Sequence, residues 1–280
     1  MKNITTLVED IYGLFAKDVP LTNEQVDGIG KEITTVLKSR LALKSERRGL
    51  SMSSLGNKCL RQVWYKVNRP ELAEPIPAHT KIKFLYGDIL EALLLGLAKA
   101  SGHKVEGEQD ALELMGVPGH RDAVIDGVTV DVKSANSRGF EKFRHHKLET
   151  EDPFGYLAQI GSYVEAGTDD PRVVVKSEGA FLAIDKELGN IALDRYRTDQ
   201  VDHSKLAERV KRAVESVDPP ERGYHPIADG KSGNEQLCME CRYCPHKKHC
   251  WPGLRKFIYS NGPRWLTRVV REPEVTEVAC

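Results

Sequence analysis

The chain has no surplus of either charge. Its 280 residues hold 41 Lys and Arg against 41 Asp and Glu, which excludes a globally basic coat, so any contact with nucleic acid must come from local clusters. No apolar run approaches the roughly 20 residues needed to span a bilayer, and the N-terminal MKNITTLVEDIYGLF meets Glu9 and Asp10 too soon for the basic-then-apolar layout of a signal peptide. These absences predict a cytoplasmic protein with no membrane partner. Six cysteines are too few for a secreted disulfide scaffold of this length. Four of them nevertheless crowd together at Cys238, Cys241, Cys244 and Cys250, which points to metal in a reducing compartment. No internal repeat is present, and the length suits one large domain or two modest ones, with enough chain to bury a core unaided.

Ile4, Leu7, Val8, Ile11, Leu14 and Phe15 recur at helical spacing, and a second helix starting near Thr22 carries Val26, Ile29, Ile33, Val36 and Leu37. A charged stretch from Lys44 to Arg48 leads to a helix around Cys59 with Leu60, Val63, Trp64 and Val67 on its buried stripe, until Pro70, Pro75 and Pro77 break it. Lys81 to Ala100 reads as a long helix closed by Ser101 and Gly102. From Lys104 to Lys133 the period changes and predicts three strands. A further helix follows with Asp152 as its cap and Pro153 at its first position, and strands are expected at 172–176, 180–184 and 191–193. The expectation is an α/β fold, a mixed sheet flanked by helices. It divides into a helical region at 1–50, a core at 51–237, a Cys-rich basic segment at 238–271 and a disordered acidic tail at 272–280.

In GHRDAVIDGVTVDVK, Asp126-Gly127 stands between two β-rich runs, the signal for a two-residue type I′ hairpin. If Ile125 pairs with Val128, Asp122 falls opposite Asp131 on one face together with Thr129 and Lys133, while Val128, Val130 and Val132 point into the core. Opposed like charges destabilise a sheet. A divalent cation would neutralise them, and Mg²⁺ favours one or two carboxylates with retained waters and substrate phosphate. Lys133 would then orient water and stabilise developing charge. A hairpin with a polar outer face is the plainer alternative. Glu91, within ILEALLL, stands among leucines where a solvated glutamate is less expected.

Gly87-x-x-x-Glu91, Gly119-x-x-Asp122, Asp131-Val132-Lys133 and Gln159-x-x-x-Tyr163 occur in an order and spacing that resemble the RecB-like branch of the PD-(D/E)XK nucleases. The resemblance implies a restriction-endonuclease-like core. It implies that Glu91, Asp122, Asp131 and the carbonyl of Val132 gather Mg²⁺ or Mn²⁺, that Lys133 assists catalysis, and that Gln159 and Tyr163 support the site. Asp131 stands where many relatives have glutamate. Read without the resemblance, Gln159 and Tyr163 lie one helical turn apart, and each has a plainer alternative as a surface amide and a core tyrosine.

Cys241-x2-Cys244-x5-Cys250, with Cys59 far upstream, is similar to the iron staple of nucleases related to AddB and to the CRISPR adaptation nuclease. The likeness implies a 4Fe-4S cluster on these four thiolates, clamping the Cys59 helix to the C-terminal segment. Cys238 is a fifth candidate, set aside by spacing. Structural Zn²⁺ on some of the clustered cysteines, His246 and His249 is the alternative, and Cys280 in the tail is expected to bind nothing.

DNA contacts are expected from Arg121 and from SRGFEKFRHHK, where Arg138, Lys142, Arg144 and Lys147 interleave with Phe140 and Phe143, a composition able to meet phosphates and stack on a base. A solvated charged helix is the alternative. Arg242 to Arg271 holds eight Lys or Arg and no acid, a basic surface unless acids elsewhere pair with it. SMSSLGNKCLRQVWY, FLYGDILEALLL and DPFGYLAQIGSYVEA also resemble phage exonucleases, which implies recombination, repair or DNA degradation in a bacterial cytoplasm. The reading is therefore a metal-dependent DNA exonuclease that hydrolyses phosphodiester bonds on single-stranded DNA or at DNA ends. Its alternatives are a zinc-ordered DNA-binding module, an endonuclease, or a subunit with a helicase or recombination partner. Polarity, strand preference and oligomeric state are not legible.

Overall fold

The structure, a computed structural model, describes residues 2–16, 20–42 and 49–279. The helices are α1 (Leu7–Ala16), α2 (Asn23–Leu41), α3 (Leu60–Asn68), α4 (Ala78–Ala100), α5 (Ser137–Arg144), α6 (Tyr156–Ala166), α7 (His203–Val214), α8 (Met239–Arg242) and α9 (Lys247–Cys250). The strands are β1 (Val105–Glu106), β2 (Asp110–Leu114), β3 (Val117–Arg121), β4 (Ala123–Ile125), β5 (Val128–Ala135), β6 (Val175–Asp185) and β7 (Ile191–Arg197), then β8 (Ile227–Ala228), β9 (Glu235–Gln236), β10 (Arg255–Tyr259), β11 (Gly262–Arg268) and β12 (Glu277–Val278).

Two compact units divide the chain: Met1–Asn57 with Ile76–Arg209, and Lys58–Pro75 with Val210–Cys280. These are not the boundaries expected at 50, 237 and 271. The first helices do not form a region of their own, because Ile4, Leu7 and Ile11 share one core with Leu90 and Leu94 of α4 and with Val128, Val130 and Val132 of β5. The helix that follows Cys59 belongs with the C-terminal unit. Trp64 Nε1 donates to the Ser216 carbonyl and Asn68 Nδ2 to the Val214 carbonyl, both at 2.8 Å.

The first unit is built on a mixed sheet of order β1-β4-β5-β6-β7, in which β5 and β6 run parallel and the other pairs antiparallel. Helices flank it, with α1 and α4 on one face and α5 and α6 against the other. The turn follows the expected hairpin. Asp126 and Gly127 take φ of 49° and 85°, the left-handed pair that a type I′ turn requires. Ile125 pairs with Val128 and Ala123 with Val130, so the register brings Asp122, just beyond the last pair, level with Asp131. Val128, Val130 and Val132 enter the core while Thr129 and Asp131 are buried on the opposite face.

Several elements differ from the expectation. Five strands, not three, occupy residues 105–135, because the chain leaves the small β2–β3 ribbon and enters the central sheet at Asp122. The strands expected at 172–176 and 180–184 are one, β6. Helix α6 starts at Tyr156, three residues past Pro153, because Gly155 takes φ 74° as its cap with its backbone against Gly56. Asp152 still caps, accepting from the N–H groups of Tyr156 and Leu157 at 2.9 Å each. The charged stretch 44–48 and Cys280 lie outside the described residues.

The second unit holds an antiparallel sheet of order β12-β10-β11-β9-β8 that periodicity did not announce. The acidic tail is ordered within it: β12 pairs with β10, and Arg255 binds both Glu272 and Glu277. Among the described residues no helix is long and apolar enough to cross a membrane.

Candidate active site

Four side chains from three elements converge at the edge of the hairpin. Glu91 comes from α4, Asp122 from the step between β3 and β4, and Asp131 and Lys133 from β5. Asp122 Oδ2 accepts from the Val132 N–H at 2.7 Å, which fixes the carboxylate beside β5 and places the Val132 backbone at the site. The Lys133 ammonium is paired with Asp131, whose side chain is 1% exposed. Tyr156, at the start of α6, stacks its ring under that ammonium at 4.9 Å. From the same helix Gln159 Nε2 donates to Asp131 Oδ1 at 3.3 Å and to Tyr163 Oη at 3.0 Å. Tyr163 is therefore a core residue with a satisfied hydroxyl, and it reaches the site through Gln159.

Glycines make the convergence possible. A Cβ on Gly119 would meet Met52 and Tyr163 within 2.9 Å, and one on Gly87 would meet Ser134 Oγ at 3.3 Å. Both allow helix and strand to approach so closely that the acids meet.

The electrostatics show what the cluster lacks. Burial, and after it the charge of Asp131, pushes the Glu91 carboxyl up to about 7. Burial and the charges of Asp131 and Glu91 raise Asp122 well above the carboxylate range. Burial works to lower the Lys133 ammonium, but Asp131 and Asp122 beside it more than offset this and hold it above its ordinary value. Burial raises the Tyr163 phenol to about 12. Three carboxyl groups share one ammonium, so full ionisation leaves negative charge uncompensated. Hard oxygen donors short of positive charge are a donor set that suits Mg²⁺ or Mn²⁺. Among the described residues no group of three or more His, Cys, Asp or Glu side chains is already drawn in to metal-ligand spacing.

Sequence reasoning missed two members of the site. Gln109, with a left-handed φ of 56°, donates from Nε2 to Glu91 Oε1 at 2.7 Å and to Asp122 Oδ1 at 3.3 Å. Nothing in its neighbours marks it. Tyr156 lies three residues before Gln159 and seven before Tyr163, so the helical period alone places it on their face.

In the second unit, Cys59, Cys241, Cys244 and Cys250 line one small cavity of about 20 Å³, open in part to solvent, together with Tyr65, Tyr224 and His246. Cys238 and His249 do not line it. Burial pushes the Cys244 thiol up to about 11, with the charges of Cys250 and Cys59 adding to the rise, and burial followed by Cys238 and the other thiols raises Cys241 further. Thiol donors around a small cavity fit either a cluster or zinc by donor type. A near-parallel stack of His246 on Tyr65, ring centroids 5.5 Å apart, occupies the imidazole from one side.

The expected DNA contacts divide. Arg121 is corrected: its side chain is fully buried and bound to Asp110 at 3.0 Å and Asp170 at 2.6 Å, so it faces no solvent. Phe140 and Phe143 are 1% and 3% exposed and pack under the sheet, where no base can reach them. Lys142 binds the Glu151 carbonyl and Arg144 pairs with Glu141, while Arg138 and Lys147 are exposed. The basic run from Arg242 to Arg271 is largely neutralised, because Lys247 and Lys248 pair with Glu74, Arg255 with Glu272 and Glu277, Arg264 with Asp229 and Arg268 with Glu235.

No protein-family profile and no curated protein matches the chain. Among solved structures it is similar to the crystal structure of SSO0001, at 17% identity and a TM-score of 0.41, over 77% of this chain and 92% of that one.

Proposed function

We propose that the chain is a metal-dependent DNA exonuclease of the RecB-like PD-(D/E)XK type, with a restriction-endonuclease-like core in its first unit. The observation that carries the reading is the grouping of Glu91, Asp122 and Asp131 near the single ammonium of Lys133, with burial first and the neighbouring carboxylates second pushing Glu91 and Asp122 up. Glu91, Asp122, Asp131 and the Val132 carbonyl would hold Mg²⁺ or Mn²⁺. The bound ion supplies charge neutralisation at the scissile phosphate and acidifies water.

The remaining steps belong to the chain's own residues. Lys133, held between Asp131 and the Tyr156 ring, directs its ammonium toward an incoming phosphate oxygen and the attacking water. Its charge stabilises the negative charge that grows in the transition state. Gln159 holds Asp131 and Gln109 holds Glu91 and Asp122, so each carboxylate is oriented before substrate arrives. Arg138 and Lys147 are available to hold the strand's phosphates.

Cys59, Cys241, Cys244 and Cys250 would hold a 4Fe-4S cluster, with Cys238 outside it. The support is that these four cysteines line the cavity and Cys238 does not. The setting that follows is DNA recombination, repair or degradation in the cytoplasm, that of a host if the chain is phage-encoded, with a helicase or recombination protein as the expected kind of partner. Incubation with end-labelled oligonucleotides in Mn²⁺ should release short products, and EDTA should abolish the release. DNA that is retarded but never shortened would replace this reading with a DNA-binding module.

A further inference from the structure

Nitrogen donors sealed from water and left without a partner gather on the wall of the cysteine cavity. Arg61 Nε, His246 Nδ1 and Trp251 Nε1 are all buried with no hydrogen-bond partner, and all three residues line that cavity beside Cys59, Cys241, Cys244 and Cys250. A buried N–H with nothing to donate to costs free energy, and native folds leave few of them. Their gathering on one small wall asks for an acceptor inside it. Arg61 and Trp251 can only donate through these atoms, and His246 donates in the tautomer that carries its proton on Nδ1.

Each donor is held from behind. Arg61 Nη1 donates to the carbonyls of Pro219 and Pro220 at 3.3 and 2.8 Å, which anchors its guanidinium. The Arg222 guanidinium lies over the Trp251 ring at 4.1 Å and donates to the Cys250 carbonyl at 2.6 Å. His246 is 2% exposed and stacks on Tyr65. To turn away and find a partner elsewhere, each would have to give up these contacts. The wall also carries Lys247, paired with Glu74, and the carboxylate of Glu240.

The acceptors that this chemistry offers are sulfurs. An iron-sulfur cluster presents sulfide and thiolate acceptors on all its sides and bears net negative charge, whereas a lone metal cation has no acceptor atom of its own. An N–H directed at such a sulfur favours the more negative of two oxidation states, so it raises the reduction potential. We infer that Arg61, His246 and Trp251 donate to the sulfurs of the bound cluster and hold its reduction potential up. The inference rests on the cluster reading, and it makes these side chains positioning residues around the cluster and none of them an iron ligand.

The test is a redox titration of the anaerobically purified full chain with dithionite, followed by the EPR signal of the reduced cluster. Trp251→Phe keeps a ring under Arg222 and removes the N–H without changing charge. It should lower the potential by about 59 mV, a tenfold shift of a one-electron equilibrium, with iron and sulfide content as in the wild type. His246→Phe and Arg61→Lys, which keep the stacked ring and the positive charge respectively, should act in the same direction. In the wild type itself, exchange into D₂O should shift the iron–sulfur stretches in resonance Raman spectra, and Trp251→Phe should reduce that shift. Unchanged potentials in these variants, or no shift in D₂O, would overturn the donors' role. Loss of iron from His246→Phe alone would make His246 a ligand and overturn its part as a donor. Iron in the wild type with its potential kept in every variant sinks this inference alone; wild type that binds no iron sinks the cluster reading with it.

Discussion

Arg121 and Lys133 are both cations set beside two carboxylates, and solvent access gives them different work. Arg121 is sealed between Asp110 and Asp170 with its side chain fully buried, whereas Lys133 keeps 19% of its side chain exposed at the mouth of the acid cluster. Removing the first strands buried charge. Arg121→Ala should destabilise the fold by about 3–5 kcal/mol in denaturant titration while leaving the salt dependence of DNA binding unchanged; a lowered salt slope would restore the residue to the DNA interface. Asp194 is a second buried acid, paired through His146 Nδ1 at 2.5 Å, and burial lifts it from 3.8 to about 6. Between those values the folded chain keeps a proton that the unfolded chain has released. The stability linked to Asp194 is therefore complete at low pH and is lost as pH rises through about 4 to 6. Asp194→Asn holds the neutral form throughout. It should be more stable than wild type at pH 8, on the order of 1–3 kcal/mol, and match it near pH 4. A variant that melts lower at pH 8 would contradict this.

At the scale of elements, the hairpin was the most legible feature and the C-terminal sheet the least. Asp126-Gly127 dictates both a turn and a register, so the meeting of Asp122 with Asp131 could be worked out by counting. The same counting could not find Arg121, because the chain changes sheets at Asp122 and the residue before it packs into a different ribbon. Strands β10 and β11 escaped because their lysines and arginines alternate with few aliphatic residues, and the acids that neutralise them come from Asp229, Glu235, Glu272 and Glu277. Pairing between residues so distant in sequence leaves no local pattern, and the same holds for Asp194 with His146. At the start of α6 the left-handed turn at Gly155 delays the helix beyond Pro153, while the Asp152 carboxylate still reaches two of its N–H groups. Asp152→Ala should cost about 1 kcal/mol in thermal unfolding. Because α6 carries Tyr156, Gln159 and Tyr163, it should also lower the cleavage rate without weakening DNA binding; an unchanged rate would detach the cap from the site.

Over the whole molecule, the chain is two compact units, with the acid cluster in one and the cysteine-lined cavity in the other. Replacement of Cys59, Cys241, Cys244 or Cys250 by Ser should abolish the brown colour and the iron and sulfide content of anaerobically purified protein, whereas Cys238→Ser should keep both. Colourless wild-type protein loaded with zinc would assign the cavity to the other metal. The acid cluster is tested by single-turnover release from an end-labelled single strand at saturating Mn²⁺, comparing wild type with Lys133→Ala. The account predicts that the variant binds the strand as wild type does and that its release rate falls by at least about a hundredfold. A variant that folds, binds and releases product at the wild-type rate would contradict it.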